Sequence, residues 1–283
     1  MRSTRTISTR YVAGVIVKYV LLCTALLLFI GPLIWLLSTM MKTKAETYKM
    51  PPTLLPESIT FESFERLFAV QPLMLQWIEN SLIVSILVVI GAVISSSLVA
   101  YGFARFKTNY ASRLFPLVLM TLMIPPSIMM IPSYVLFTKL GWIDTWLPLI
   151  VPSWLGGAYY IFLFRQFFLT IPQELDEATY LDGGNRWTVY FRVIMPLSKP
   201  IIITTIIFAF VNSWLDFLGP FLYIKDSQLF TLSVGLQLLI GQTSQDFPAL
   251  AAGAFISIIP IAILYFFAQR YIVEGVVLTG SKG

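Results

Sequence analysis

The sequence predicts an all-α polytopic membrane protein with six transmembrane helices and both termini in the cytoplasm. Three observations carry that prediction. Apolar residues make up 57% of the 283-residue chain, and the mean hydropathy is +0.81. Charged residues supply only 12%, about half the share of an ordinary soluble domain. The apolar residues also fall into uncharged runs of about 20 residues, the length a helix needs to cross the hydrocarbon core. A water-soluble domain of this size cannot hide so much apolar surface, so a cytosolic enzyme, a secreted domain and a disordered scaffold are excluded. The chain has no histidine, which removes imidazole acid–base chemistry and histidine metal sites. Its one cysteine, Cys23, lies in an apolar run and reads as a small packing residue.

The spans follow in order. Tyr19–Met40 is the first; its apolar run is too long for a signal peptide, and no small-residue cleavage site follows it. Asn80–Ala104 is the second. Leu114–Thr138 is the third, with Pro125 and Pro126 near its middle to kink or break it. Thr145–Phe164 is the fourth, Pro200–Ile224 the fifth and Phe247–Gln269 the sixth. Ser227–Gln245 is uncharged as well, but its amides and hydroxyls make it an outer loop with a short amphipathic or re-entrant helix.

Orientation comes from the basic residues. With the N-terminus inside, thirteen fall on the inner side: Arg2, Arg5, Arg10, Lys18, Arg105, Lys107, Arg113, Arg165, Arg186, Arg192, Lys199, Arg270 and Lys282. Six fall outside: Lys42, Lys44, Lys49, Arg66, Lys139 and Lys225. The excess of positive charge places both termini in the cytoplasm, and the net charge of +5 reflects these loops rather than a nucleic-acid partner. The chain thus divides into a basic arm (1–18), a first helix (19–40), an outer loop (41–78), a core of five helices (79–269) and a cytoplasmic tail (270–283). In the outer loop Phe61, Phe64, Leu67 and Phe68 recur at helical spacing, which predicts an amphipathic helix. A lid on the bundle and a partner-docking surface are equally compatible with it.

The long inner loop, 170–199, is the most informative stretch. Pro172 can open a helix whose first turns hold Glu174, Asp176 and Glu177, where acidic side chains suit the helix dipole. Gly183 and Gly184 then break the helix, and Asn185 is suited to cap a second one. On that second helix Trp187, Tyr190, Phe191 and Ile194 sit at i, i+3, i+4 and i+7, predicting one apolar face, and Pro196 closes the segment. A structured connector and a docking element for a cytoplasmic partner both fit this pattern.

Glu177-Ala178-Thr179, Asp182-Gly183-Gly184, Ile194-Met195-Pro196-Leu197 and Pro200 resemble the EAA loop of ABC importer permeases. Thr179 stands where that pattern has its second alanine, and Gly184 where it has the alanine after the glycine; both are small. Asn80-Ser81-Leu82, Ala100-Tyr101-Gly102-Phe103-Ala104-Arg105, Ile124-Pro125-Pro126, Gly156-Gly157-Ala158, Thr231–Leu236 and Gln269–Val273 extend the resemblance over the whole chain. They point to the carbohydrate-uptake branch and to the smaller maltose-type permease subunit.

The resemblance implies a transport subunit in a prokaryotic plasma membrane rather than an enzyme. It implies a second permease chain, two ATPase subunits and an extracytoplasmic sugar-binding protein as partners. No phosphate-binding loop occurs in the sequence, so ATP and Mg²⁺ would belong to the ATPase and this chain would bind no cofactor or metal. Glu177, Ala178, Thr179, Asp182, Gly183 and Gly184 would couple to the ATPase, with a side chain at Gly183 obstructing close approach. Trp187, Tyr190, Phe191, Ile194 and Pro196 would anchor the loop. Asn212, Trp214 and Asp216 would line the substrate path, although Trp214-Leu215-Asp216 departs from the Trp-Asn usual there. Asp216 is the one acidic residue placed inside a span, where carboxylates are costly and often functional. A permease for another small solute and a stand-alone secondary transporter are the alternatives; the second would call for inverted repeats and paired intramembrane charges, which the sequence does not show.

Overall fold

The computed structural model describes residues 9–106, 108–242 and 246–280. The described residues are helical and loop segments: α1 (Thr9–Met40), α2 (Lys44–Thr47), α3 (Glu62–Val70), α4 (Met74–Arg105), α5 (Asn109–Thr121), α6 (Pro126–Lys139), α7 (Leu147–Ile150), α8 (Ala158–Phe168), α9 (Glu174–Leu181), α10 (Arg186–Thr188), α11 (Met195–Leu197), α12 (Lys199–Trp214), α13 (Leu218–Tyr223), α14 (Leu232–Gln242) and α15 (Phe247–Gly280). A 3₁₀ turn, Val151–Leu155, joins α7 to α8, and a π turn, Val189–Ile194, joins α10 to α11.

Among the described residues, four stretches are long and apolar enough to cross a membrane unaided: Gly14–Met40, Met74–Arg105, Leu147–Phe168 and Phe247–Gln269. Two more candidates are bent pairs, Arg113–Thr121 with Pro126–Lys139 at 94° and Arg186–Leu197 with Lys199–Trp214 at 76°. The expected third span is therefore two helices. Pro126 has no N–H to give the preceding turn and sterically drives Pro125 into an extended backbone, φ −60° and ψ 132°. The expected fifth span is shorter than its apolar run. Helix α12 stops at Trp214, three residues intervene, and α13 restarts at Leu218. The short helix expected within Ser227–Gln245 is α14, and that expected in the outer loop is α3. The sixth helix continues past Gln269 to Gly280 without interruption. Arg2, Arg5, Lys107 and Lys282, counted for orientation, lie outside the described residues, as does Gln245.

The chain forms two compact units, Met1–Gln71 with Leu239–Ile256 and Pro72–Leu238 with Ser257–Gly283. In the first unit α1 is apolar on all sides, and none of its most apolar window is buried in the chain, as expected of a helix facing lipid. Cys23 lies on that exposed surface rather than packed inside. On α3, Leu67 and Ser63 are fully buried, and Ser63 Oγ donates to Met40 O at 2.5 Å. Arg66 bridges Glu62 and Asp246, each at 3.0 Å.

The second unit is arranged around α4, which at 32 residues is about 48 Å long. Its buried residues are mostly small: Ser81, Ser85, Gly91, Ala92, Ser96, Ser97, Ala100 and Ala104. Small residues let helices approach closely where apolar solvent offers no hydrophobic drive. Gly91 shows how closely, since a Cβ there would lie 2.4 Å from the Trp154 ring. Ser95 Oγ donates to Ser153 O at 3.0 Å, tying the 3₁₀ turn to the same helix. Near the C-terminal end of α4, Ala100, Tyr101 and Ala104 join Phe164, Phe168, Val189, Tyr190 and Ile194 in one apolar cluster.

Candidate coupling segment and cavity

The segment between α8 and α12 is built as a helix, a glycine turn and a second helix. Helix α9 carries Glu174, Asp176 and Glu177 in its first turn. It ends in a Schellman turn. Gly184 N donates to Thr179 O at 2.9 Å and Gly183 N to Tyr180 O at 3.1 Å, satisfying two of the last carbonyls. Gly183 has φ +81°, a left-handed conformation that other residues adopt at a cost. Asn185 then caps α10: its Oδ1 accepts from Thr188 N at 3.0 Å while Thr188 Oγ1 accepts from Asn185 N at 3.2 Å.

The two glycines are constrained differently within this chain. A Cβ on Gly183 would meet no atom of this chain within 4 Å, so its requirement is the backbone angle. Gly184 supplies the steric constraint, because a Cβ there would lie 2.8 Å from Thr179 O and 2.7 Å from Thr179 Cγ2.

The expected single apolar face of the second helix is also split. Tyr190 and Ile194 are buried together with Val189, but Trp187 and Phe191 are exposed, their rings stacked 6.0 Å apart. The π turn is the reason. Its wider turn departs from the 3.6-residue period on which the expectation rested. Pro196 is exposed on α11.

On α9, Glu177, Ala178 and Asp182 are exposed and Thr179 is half-buried. Leu181, which no sequence pattern marks as functional, is 89% exposed. Nothing among the described residues covers this apolar side chain beside an acidic helix turn. Its signal in the sequence was an isolated leucine between Tyr180 and Asp182, indistinguishable from a packing residue.

Asp176 faces the other way. Its Oδ2 lies 3.2 Å from Arg105 Nε at the end of α4, with the two side chains 11% and 4% exposed. Arg105 also donates to Ile171 O at 3.1 Å. Burial pushes the Asp176 carboxyl above its ordinary pKa, and Glu177 adds to the rise; the Arg105 guanidinium opposes it without cancelling it. A cavity of about 390 Å³ opens beside the pair, lined by Phe106, Gln173, Glu177, Tyr180 and Arg186.

The three residues expected along a substrate path do not share one surface. Asn212 and Asp216 line a cavity of about 210 Å³ with Val84, Tyr160, Ser213 and Thr231. Trp214 is 2% exposed, absent from that lining, and donates through Nε1 to Ser257 O at 3.0 Å. Asp216 sits in the break after α12, where its Oδ1 accepts from Gly219 N at 3.1 Å and its backbone carbonyl from Ser233 Oγ at 2.6 Å. Asn212 Nδ2 reaches Tyr160 Oη at 3.4 Å. Tyr160 is a lining residue that the sequence did not single out.

The described residues thus form a multi-pass helical membrane protein carrying an exposed acidic helix on a long loop. The chain belongs to the family of binding-protein-dependent transport system inner membrane components, whose model matches residues 92–277. It is thus a multi-pass inner-membrane permease component, a transport subunit rather than an enzyme. The arabinooligosaccharides transport system permease protein AraQ of Halalkalibacterium halodurans is 34% identical over 81% of this chain and 81% of its own length. The sulfoquinovosyl glycerol transport system permease protein SmoH of Agrobacterium fabrum is 32% identical over 89% and 88%. Among solved structures, a chain of a bacterial ABC transporter involved in alginate import has the same fold, with TM-score 0.84 at 22% identity over 95% of this chain and 99% of that one.

Proposed function

We propose that this chain is one permease subunit of an ATP-driven, binding-protein-dependent sugar importer, with both termini in the cytoplasm. The observation that carries the reading is α9: a short, exposed, acidic helix, closed by a glycine turn and set on a family-matching loop. The names of its relatives support the cargo class, covering arabinooligosaccharides, sulfoquinovosyl glycerol and, at 28% identity, sn-glycerol-3-phosphate. All are sugars, glycosides or polyol phosphates. A solved relative of 17% identity and TM-score 0.64 is an alginate transporter in complex with its pentasaccharide-bound periplasmic protein, which supports an extracytoplasmic binding protein as partner here.

In this reading a second permease chain completes the translocation path and two ATPase subunits hold ATP and Mg²⁺. This chain binds no cofactor. Glu177, Ala178, Thr179 and Asp182, with Leu181 beside them, enter a cleft of one ATPase subunit, and the carboxylates take charge-assisted hydrogen bonds there. Gly183 and Gly184 hold the helix end in the shape that cleft accepts. Tyr190 and Ile194 fix the segment to the bundle, while Trp187, Phe191 and Pro196 remain free for a neighbouring chain or lipid headgroups. Asn212 and Asp216, with Tyr160, supply hydroxyl, amide and carboxylate groups to the path, whereas Trp214 supports the helix from behind.

The test is purification of tagged chain from its native membrane in mild detergent. An ATPase and a second multi-span chain should co-purify, and the ATPase should be lost from the Gly183→Asp variant while that variant stays in the membrane. A chain that purifies alone under every gentle condition overturns the reading. Stimulation of the complex by binding proteins loaded with arabinooligosaccharides, sulfoquinovosyl glycerol or sn-glycerol-3-phosphate then sorts the cargo.

A further inference from the structure

Three side chains of α4 bond to three successive parts of the coupling segment. Ser97 Oγ lies 2.8 Å from Tyr190 Oη. Tyr101 Oη donates to Arg186 O at 3.0 Å. Arg105 pairs with Asp176 at 3.2 Å and donates to Ile171 O at 3.1 Å. Ser97, Tyr101 and Arg105 stand at i, i+4 and i+8, so they form one stripe on one face of the helix. Between the bonds the contacts are aromatic: the Tyr101 and Tyr190 rings are 5.2 Å apart, and the Arg186 guanidinium lies 4.6 Å from the Phe106 ring centre.

We infer that Ser97, Tyr101 and Arg105 are positioning residues that fasten the coupling segment to α4, so that α9 and α4 move as one body through the transport cycle. The inference rests on the proposed docking of α9 to an ATPase. Three observations support it. The bonds span the whole segment, from Ile171 to Tyr190, rather than one point. The chain's own continuation into α12 is bent by 76°, so the stiffest route from α9 into the bundle runs sideways into α4. The buried pair is also a poor stabiliser. Asp176 Oδ1 and Arg105 Nε are buried without a hydrogen-bond partner, and burial costs the Asp176 carboxylate more than Arg105 returns to it. A buried ion pair is weak evidence for stability, and in some proteins such a pair fixes geometry instead.

The test uses the assembled complex, with Cys23→Ser removing the native thiol and spin labels on Leu75→Cys and Glu174→Cys, both exposed. Double electron–electron resonance is recorded without nucleotide and with ATP and Mg²⁺. A third label on the second permease chain reports that the cycle runs. The 75–174 separation should stay within about 2 Å in the otherwise native sequence while the distance to the second chain changes. In Asp176→Asn, which leaves Arg105 buried without its counter-charge, and in Tyr101→Phe, which removes one tie and strands no charge, it should shift or broaden on ATP addition with the ATPase still bound. A 75–174 change of about 5 Å or more in the native sequence, or an Asp176→Asn or Tyr101→Phe variant that behaves as the native sequence, overturns the inference alone. Failure of the ATPase to co-purify with the native sequence overturns the docking reading, and this inference with it.

Discussion

The two ends of α4 are fastened by opposite chemistries. At the N-terminal end every tie is neutral and runs to backbone: Trp77 Nε1 to Ser227 O at 2.8 Å, Asn80 Nδ2 to Gln228 O at 2.8 Å and to Phe230 O at 2.9 Å, and Leu232 N to Ser81 Oγ at 2.7 Å. Packing there is tight enough that a Cβ on Gly235 would lie 2.0 Å from the Trp77 ring. At the C-terminal end the ties reach side chains as well as backbone, include a buried ion pair, and border an open cavity of about 390 Å³. An end satisfied by amides and hydroxyls is a seat. An end held through charge beside a cavity keeps its geometry while tolerating load. Substitutions at the first should unfold, and at the second should uncouple.

The largest expected effect tests the second end. In Gly184→Val the new side chain meets a carbonyl already committed to the Schellman turn, so uptake and ATPase co-purification should fall by roughly two orders of magnitude or more, since overpacking and loss of the turn act together. Membrane abundance, measured by immunoblot, should hold. Next comes the seat. Asn80→Ala removes two hydrogen bonds to carbonyls of an exposed and a half-buried residue, at about 1 kcal/mol each. Gly235→Ala should cost a similar amount by overpacking. Both should lower the thermal midpoint in detergent while leaving sugar transported per ATP unchanged; a changed ratio would erase the distinction between the ends.

A pH series sharpens the comparison further. The folded-state pKa of Asp176 is raised, so folding takes up a proton there. The associated stability is present below the unfolded carboxylate range and is lost as pH rises through the raised value. Arg105 of α4 and Glu177 of α9 are the charged groups that act on it. Acidification from pH 7 toward pH 4 should raise the midpoint of the native chain relative to Asp176→Asn, and parallel curves would refute this. The smallest effect is expected from Asn185→Ala, which removes one cap at about 1 kcal/mol and should slow uptake by less than tenfold.

Much of the architecture was legible in the sequence because membrane spans are coded locally, by uninterrupted apolar runs. The Gly183-Gly184 turn and the Asn185 cap were legible for the same reason, since each is specified within four or five residues. What escaped was set by partners remote in sequence or by a change of period. Arg105 showed its charge but not that Asp176 would meet it. Trp214 and Asp216 are two residues apart, yet the chain breaks between them, and one is buried behind the helix while the other lines the cavity. Trp187 and Phe191 fell on the expected face only while the helix kept 3.6 residues per turn, and the π turn ended that at Val189.

That wide turn has a consequence for how the chain can diverge. One residue more than an α turn offsets the angular phase of everything downstream by about 100°. The faces that α12 presents, including Asn212, are therefore indexed separately from the faces that α9 and α10 present to α4. A single-residue insertion or deletion within 189–194 would rotate the cavity-lining register and would also displace Tyr190 or Ile194 from their seat on α4. The exposed face of α9 and the cavity-lining face of α12 thus lie on opposite sides of one wide turn, and a change of length there re-indexes one against the other.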